Sequence, residues 1–389
     1  LVVYVFNFID RQILAILAEP IKRDLGLSDT QIGILSGAAF GILYATLGIP
    51  IARLADRHSR VTIISVCLLL WSLMTAVSGL AQNYWQLLLA RIGVGVGEAG
   101  GSPPSHSLIA DYFPPESRAS ALGIYALGIP LGILFGNLAG GWINEFFGWR
   151  NAFFVVGIPG ILLAVVLRLT VREPRRDQPG RHQGSEPQVP FRQVVRTMLN
   201  FRSFRHLSMG AATQAFVGYG LIAWMPPFLM RAHDMSSGEV GTALGLIIGL
   251  GGGAGTILGG IICDRLASRD VRWYMWLPAG AFLAALPFVA ATLLTPDLGW
   301  SLAIFLLPCF LINLYTGPTF AIVQTLAPPN MRAAASALLL FIINIIGLVL
   351  GPTMVGFLSD LLQVGLELSD IDSLRYAMCI CALVYAVSF

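Results

Sequence analysis

Twelve apolar runs, each near the length needed to cross a bilayer and separated by short polar breaks, leave this chain few ways to fold. A bilayer-crossing helix needs about 20 apolar residues, and backbone groups in hydrocarbon must bond within their own helix or within a closed barrel. The runs do not alternate apolar and polar residues as barrel strands do, so they read as helices. With 56% hydrophobic and 12% charged residues over 389 positions, one water-facing core could not hide the apolar surface. The fold class expected is all-α, a polytopic membrane protein of twelve transmembrane helices.

The spans read as about 1 to 19, 30 to 54, 61 to 80, 84 to 110, 118 to 143, 150 to 170, 207 to 229, 239 to 263, 272 to 294, 299 to 326, 333 to 361 and 374 to 389. Domains of 1–170 and 207–389 follow, joined by a linker at 171–206 rich in Arg, Pro, Gly and Gln. Near Phe191 to Phe204 the linker reads as a short basic amphipathic helix lying on the inner leaflet. Lys22 is the only lysine, and 17 of the 24 basic residues fall on one side, including nine from Arg168 to Arg205. The other side has five, and Arg11 and Arg91 stay inside the membrane. The positive-inside rule then puts both termini and the linker in the cytoplasm. No initiator Met or signal peptide opens the chain and the last span runs to Phe389, so both ends read as trimmed.

Internal repeats sharpen the architecture. Ser28-Asp29-Thr30-Gln31-Ile32-Gly33 recurs as Ser236-Ser237-Gly238-Glu239-Val240-Gly241, and Asp56-Arg57 as Asp264-Arg265, both at an offset of 208. Pro114 to Ala119 matches Pro328 to Ala333 at 214. Two six-helix bundles in the same orientation are expected, with a site at the midplane between them. Glycines at Gly123, Gly128, Gly132, Gly136 and Gly140 surround Pro130 in the fifth span, and Gly347 and Gly351-Pro352 mark the eleventh. Such small residues let helix backbones approach closely.

Charges inside hydrocarbon are costly and mark ion or substrate paths. Asp10 and Arg11 sit side by side in the first span, and Arg91 and Glu98 in the fourth. Seven residues are nearly two helical turns, so Arg91 and Glu98 share a face. No charge falls inside the last six spans, whose candidates are polar but neutral: Thr213, Gln214, Tyr219, Asn313, Tyr315 and Asn344. Adjacent residues on a helix lie about 100° apart, so Arg11 is expected to face the substrate path with Asp10 behind it. Arg91 is expected to be structural, and Glu19-Pro20 to close the first helix. His106 reads as a packed histidine. Five cysteines lie in or beside apolar helices without disulfide or zinc spacing. No nucleophile with a base, no metal set and no phosphate loop points to an enzyme; Gly93 to Gly97 lies within an apolar helix with no strand before it.

The loop Leu54 to Arg60, LADRHSR, with its weaker copy Cys263 to Arg269, resembles the signature loop of the major facilitator superfamily, although Ala52 and Ser59 stand where glycines are common. The resemblance implies the major facilitator fold, with Asp56, Arg57, Arg60, Asp264 and Arg265 as a cytoplasmic latch between the halves. Asn7 to Arg11, LADRHSR, Gly97-Glu98-Ala99 and Ile109 to Pro114 together resemble the Spinster family of lysolipid and sphingolipid transporters. That resemblance implies proton coupling through Asp10, Glu98 and Arg11, with Arg11 and Glu98 at the substrate headgroup; Asn7, Gln214, Tyr219, Asn313 and Asn344 are expected as further substrate contacts by their polarity and placement. The partners implied are an amphiphilic lipid-like substrate, protons and the bilayer, with no nucleic acid, cofactor or metal. A monomer in the cell (inner) membrane is expected. Proton-coupled organic-anion symporters share the Asp-Arg pair and the Arg-to-Glu spacing, so uptake of a sugar acid stays open, as does drug export.

Overall fold

A computed structural model describes residues 1–174, 190–328 and 331–388. The first span is α1 (Val2–Leu25), the second α2 (Asp29–Ser36) with α3 (Ala38–Arg57), and the third α4 (Arg60–Ser78). The fourth is α5 (Tyr84–Glu98) with α6 (Ser102–Tyr112), the fifth α7 (Pro115–Ala126) with α8 (Gly128–Phe147), and the sixth α9 (Trp149–Thr170). After α10 (Phe191–Asn200) come α11 (Arg202–Ala232), α12 (Ser237–Leu246) with α13 (Gly253–Ala267), and α14 (Trp273–Leu294). The tenth span is α15 (Leu298–Leu311) with α16 (Thr316–Leu326), the eleventh α17 (Arg332–Ile343) with α18 (Leu350–Gly365), and the twelfth α19 (Asp370–Ala382) with α20 (Tyr385–Ser388). These are the twelve transmembrane helices of two six-helix bundles. Eight of the described helical runs are long and apolar enough to cross a membrane on length and composition. α1, with its charges, is not among them.

Helix starts follow local chemistry. Ser28 and Ser236 each accept from a backbone N–H three residues on, and Gln31 and Glu239 reach back to complete capping boxes. The repeat read in the sequence is therefore a repeated helix start. α1 runs through Pro20 and ends only where Gly26, at φ 63°, supplies the left-handed cap. The expected boundary at Glu19-Pro20 is thus wrong: one proline removes one ladder bond, which neighbouring helices can make good.

The second, fifth, eighth and eleventh spans line the seam between the bundles, and each breaks midway. α2 gives way to α3 at Gly37, α7 to α8 at Leu127, and π turns fill Ile247–Gly252 and Asn344–Val349. The breaks meet in pairs. A Cβ on Gly37 would stand 2.6 Å from the Val349 carbonyl oxygen, inside the π turn of the eleventh span, while α8 lies along α12 and the π turn after it.

The amphipathic helix of the linker is α10, and part of its apolar face packs on protein. Val194 and Met198 are buried against Phe204, Leu207, Ala335 and Leu338 of the C-terminal bundle. Linker residues 175–189 lie outside the described residues.

Candidate functional site

Glycines fix which way α1 faces. Gly128, Gly132, Gly136 and Gly140 recur along α8 against Tyr4, Phe8, Gln12 and Ile16 of α1. A Cβ on Gly132 would stand 2.4 Å from the Phe8 Cβ and 2.7 Å from the Val5 carbonyl oxygen, so the backbones touch. Gly123 has nothing within 4 Å of its Cβ position and lies outside this contact. With one face of α1 committed to α8, Asp10 and Arg11 turn to two others. Asp10 is 1% exposed and faces Trp71 and Thr75 of α4 and Arg91 and Glu98 of α5. Arg11 lines the cavity between the bundles.

The Arg11 Nε donates to Glu98 Oε2 at 2.6 Å. Its guanidinium carbon lies 4.3 Å from the ring centre of Tyr44, 5.0 Å from Phe8 and 5.2 Å from Phe40, close enough for cation–π attraction. Arg91 reaches the same wall and stacks on Phe40 at 5.5 Å. Asn7 is buried and faces Glu98. Phe40 and Tyr44, four apart on α3, were legible as one helical face, but no residue of the second span named Arg11 as their partner. Toward the arginine-rich end Tyr4 stacks on Tyr125 at 4.3 Å, and His106 meets Tyr125 edge-on at 5.2 Å.

The opposite wall is apolar apart from one phenol: Tyr219, Ile222 and Ala223 of α11, with Leu348 and Pro352 of the eleventh span. Two of the expected substrate contacts are turned away. The Gln214 amide donates to the Ile312 carbonyl at 3.1 Å and the Asn313 amide to the Cys309 carbonyl at 2.7 Å. Each settles a backbone group within the C-terminal bundle, the usual fate of an amide in hydrocarbon. Asn344 is half-buried and opens the π turn of the eleventh span.

A second constellation, which single-residue reading missed, seals one end of the molecule across the bundles. Arg231 of α11 forks onto Asp29 at 2.8 and 2.9 Å and donates to Glu19 at 2.7 Å. Lys22 bridges Asp29 and Asp370, at 2.8 and 2.9 Å. Asp360 of α18 accepts from the Asp29 and Thr30 N–H groups that open α2. Glu145 of α8 accepts from the Gly238 N–H near the start of α12 at 2.8 Å, and Asn144 donates to Ser237.

At the arginine-rich end the described pairs stay within one bundle. Arg60 is buried and holds Asp111 at 2.6 Å and Glu173 at 2.8 Å, with Ser107 on the same guanidinium. Asp264 accepts from Tyr274 at 3.1 Å. The expected latch, which would close this end, is not engaged by Arg60, paired within its own bundle, or by the exposed Asp264, in a conformation sealed at the other end; the Asp56 and Arg57 side chains lie outside the described residues, and Arg265 is exposed. Beyond the sixth span, burial raises the Glu173 carboxyl, but the Val61 N–H, Arg60 and Ser59 outweigh it and hold it below the usual carboxylate range.

This fold, with buried charges facing a cavity between two like bundles, defines a membrane transporter, and the chain belongs to the major facilitator superfamily: the profile of that description matches residues 1–352. Within it the chain is homologous to the Spinster proteins. A solved bacterial homologue of the human lysosomal transporter Spinster, inward-facing and unoccupied, superposes with a TM-score of 0.90 at 34% identity, covering 100% of this chain and 93% of that one. Human protein spinster homolog 1 is 29% identical over 98% of this chain and 76% of its own length. An MFS-type efflux pump of Mycolicibacterium smegmatis is 38% identical over 91% of this chain and 81% of its own. These relatives and the fold are those of transporters, not enzymes.

Proposed function

We propose that the protein is a proton-coupled transporter of lysophospholipid or sphingolipid-like amphiphiles, working by alternating access. The observation that carries this reading is the asymmetry of the cavity, which sets Arg11 with Glu98 and three aromatic rings on one wall against a mostly apolar wall on the other. A phosphate headgroup fits the guanidinium and a single chain fits the apolar side. A small sugar acid needs polar partners for its hydroxyls on both walls, and Gln214 and Asn313 are occupied elsewhere.

Coupling follows from competition. A headgroup anion that takes Arg11 strips Glu98 of its counter-charge, and the carboxylate left in an apolar cavity takes a proton, so binding and protonation are linked. Bundles 1–170 and 207–389 then rock about the cavity as bodies joined by 171–206, in a monomer. The arginine-rich end is assigned to the cytoplasm of the cell membrane, with both termini, and the sealed end to the outside.

Uphill uptake into proteoliposomes driven by a pH gradient should collapse in Asp10→Asn and in Glu98→Gln; its survival in both removes the coupling. Arg11→Ala should weaken lysolipid binding at least tenfold, and unchanged affinity moves the site elsewhere. A thermal-shift screen separates the substrate classes: protection by lysolipids supports this reading, protection by sugar acids alone replaces it with anion symport, and protection by unrelated lipophilic cations replaces it with drug export.

A further inference from the structure

Among the described residues fifteen buried side-chain nitrogen and oxygen atoms make no well-formed hydrogen bond, and nine of them belong to Asn7, Asp10, Trp71, Ser72, Thr75, Arg91 and Glu98. Buried polar groups are nearly always bonded, so nine orphans on three neighbouring spans require a cause. Ser72 turns toward Gly160 of α9. The others gather around Asp10 and Glu98. The Trp71 indole and Thr75 hydroxyl, four apart on α4, face the Asp10 carboxylate, and Arg91 faces it from α5. None of them makes a well-formed hydrogen bond to it.

The gap cannot close by collapse. A Cβ on Gly97 would stand 2.6 Å from the Trp71 backbone nitrogen, and Gly101 lies under the far edge of the ring, so the indole is wedged. Arg91 is pinned on Phe40. The unbonded groups are complementary. Trp71 Nε1 and Arg91 Nε and Nη1 can only donate; the Asp10 oxygens, Asn7 Oδ1 and Glu98 Oε1 accept; the Thr75 hydroxyl does either. A permanent guanidinium in the ring disfavours a metal cation. Water, able to donate and accept between groups not aligned for direct bonds, matches it.

We infer that Trp71, Thr75 and Arg91 hold an internal hydration site behind Asp10, and that its water links Asp10 to Glu98. The inference rests on the proton-coupling reading above and supplies what that reading lacks, a route to a carboxylate that does not face the cavity. In the transfer the O–H bond of a protonated Glu98 breaks as a water oxygen takes the proton, and that water gives one of its own protons to an Asp10 oxygen. Charge and atoms are conserved. The charged groups facing Asp10 are Arg91 and Glu98 of α5, with Arg11 next to it on α1; the α4 neighbours are neutral. Trp71 and Thr75 are positioning residues, acting on the substrate only through Asp10.

Thr75→Val keeps the shape and removes the hydroxyl, and Trp71→Phe removes the indole N–H. Losing a donor to the carboxylate should move the pH midpoint of lysolipid uptake upward by about half a unit to one unit, with lysolipid affinity unchanged and Thr75→Ser restoring the wild-type profile. If either variant fails to fold, the wild-type protein carries the test. On mixing with D2O its Asp10 carboxyl band, identified by infrared difference against Asp10→Asn, should shift within seconds. A band that stays unexchanged, or wild-type pH profiles in both variants, overturns the hydration site. Those results leave coupling intact, whereas uphill uptake surviving in Asp10→Asn and Glu98→Gln removes the coupling itself.

Discussion

Asp360 caps a helix in the other bundle: its carboxylate accepts from the backbone N–H of Asp29 at 3.0 Å and of Thr30 at 2.8 Å. Glu145 does the same for Gly238 in the opposite direction. Each bundle thus offers the positive end of its second helix to an acid on the fifth helix of its partner, a bond that exists only while this end is shut. Asp360→Asn and Glu145→Gln together should weaken the seal by about 1–3 kcal/mol per site and raise the fraction of molecules open at this end. Spin-label distances between the α1–α2 and α11–α12 turns check it, and unchanged distance distributions would show that the caps do not hold the seal.

Arg231 is the hub of the same end, 7% exposed and bonded to Glu19 and Asp29. Arg231→Met removes the buried cation shared by Glu19 and Asp29, which keep only Arg23 and Lys22, so a loss of about 3 kcal/mol in the sealed state, the low end for a broken buried pair, is expected. Thermal unfolding in detergent measures it. Adding Asp29→Asn to Arg231→Met should recover part of the loss, and a purely additive double variant would mean that the two residues do not form one unit.

The α1–α8 contact predicts intolerance at Gly132. Gly132→Val drives a branched side chain into Phe8 and the Val5 carbonyl, costing about 1–3 kcal/mol. Because α1 carries Arg11, lysolipid binding should fall with it. A variant that binds lysolipid with wild-type affinity would show that α1 can shift without disturbing the site.

Glu173 gives the arginine-rich end a defined acid limit. Its carboxyl sits below the ordinary value in the folded protein despite burial, through the Val61 N–H, Arg60 and Ser59. The unfolded chain therefore binds the proton more readily. The stability Glu173 contributes is complete above its unfolded value near 4.5 and is lost as pH falls through the lower folded one. Melting temperatures of the wild type and Glu173→Gln should differ near neutral pH and converge in acid; curves parallel across the whole range would exclude the linkage.

Spans, pseudo-repeat and the four buried charges were legible because hydrocarbon permits few exceptions: a long apolar run is a helix, and a charge inside one needs a reason. That Asp10 and Arg11 face different ways followed from helix geometry alone. The C-terminal wall was not legible, since Gln214 and Asn313 look like any cavity amide until their backbone acceptors, Ile312 and Cys309, are placed. Nor was the seal. Arg231 lies 212 residues from Glu19, and local sequence carries no trace of such a pairing. Glu19 read as a helix end because a proline followed it; the cap that ends the helix is Gly26.

The glycine stripe on α8 also sets a register. Since Tyr4, Phe8, Gln12 and Ile16 are keyed into Gly128, Gly132, Gly136 and Gly140, α1 cannot turn about its axis. One residue inserted between Ile9 and Asp10 would rotate everything after it by about 100°, carrying both charges off the faces they now occupy while leaving composition and hydropathy almost untouched. The first helix therefore stores its function as a phase angle, and a length change of one residue there should be more damaging than many substitutions.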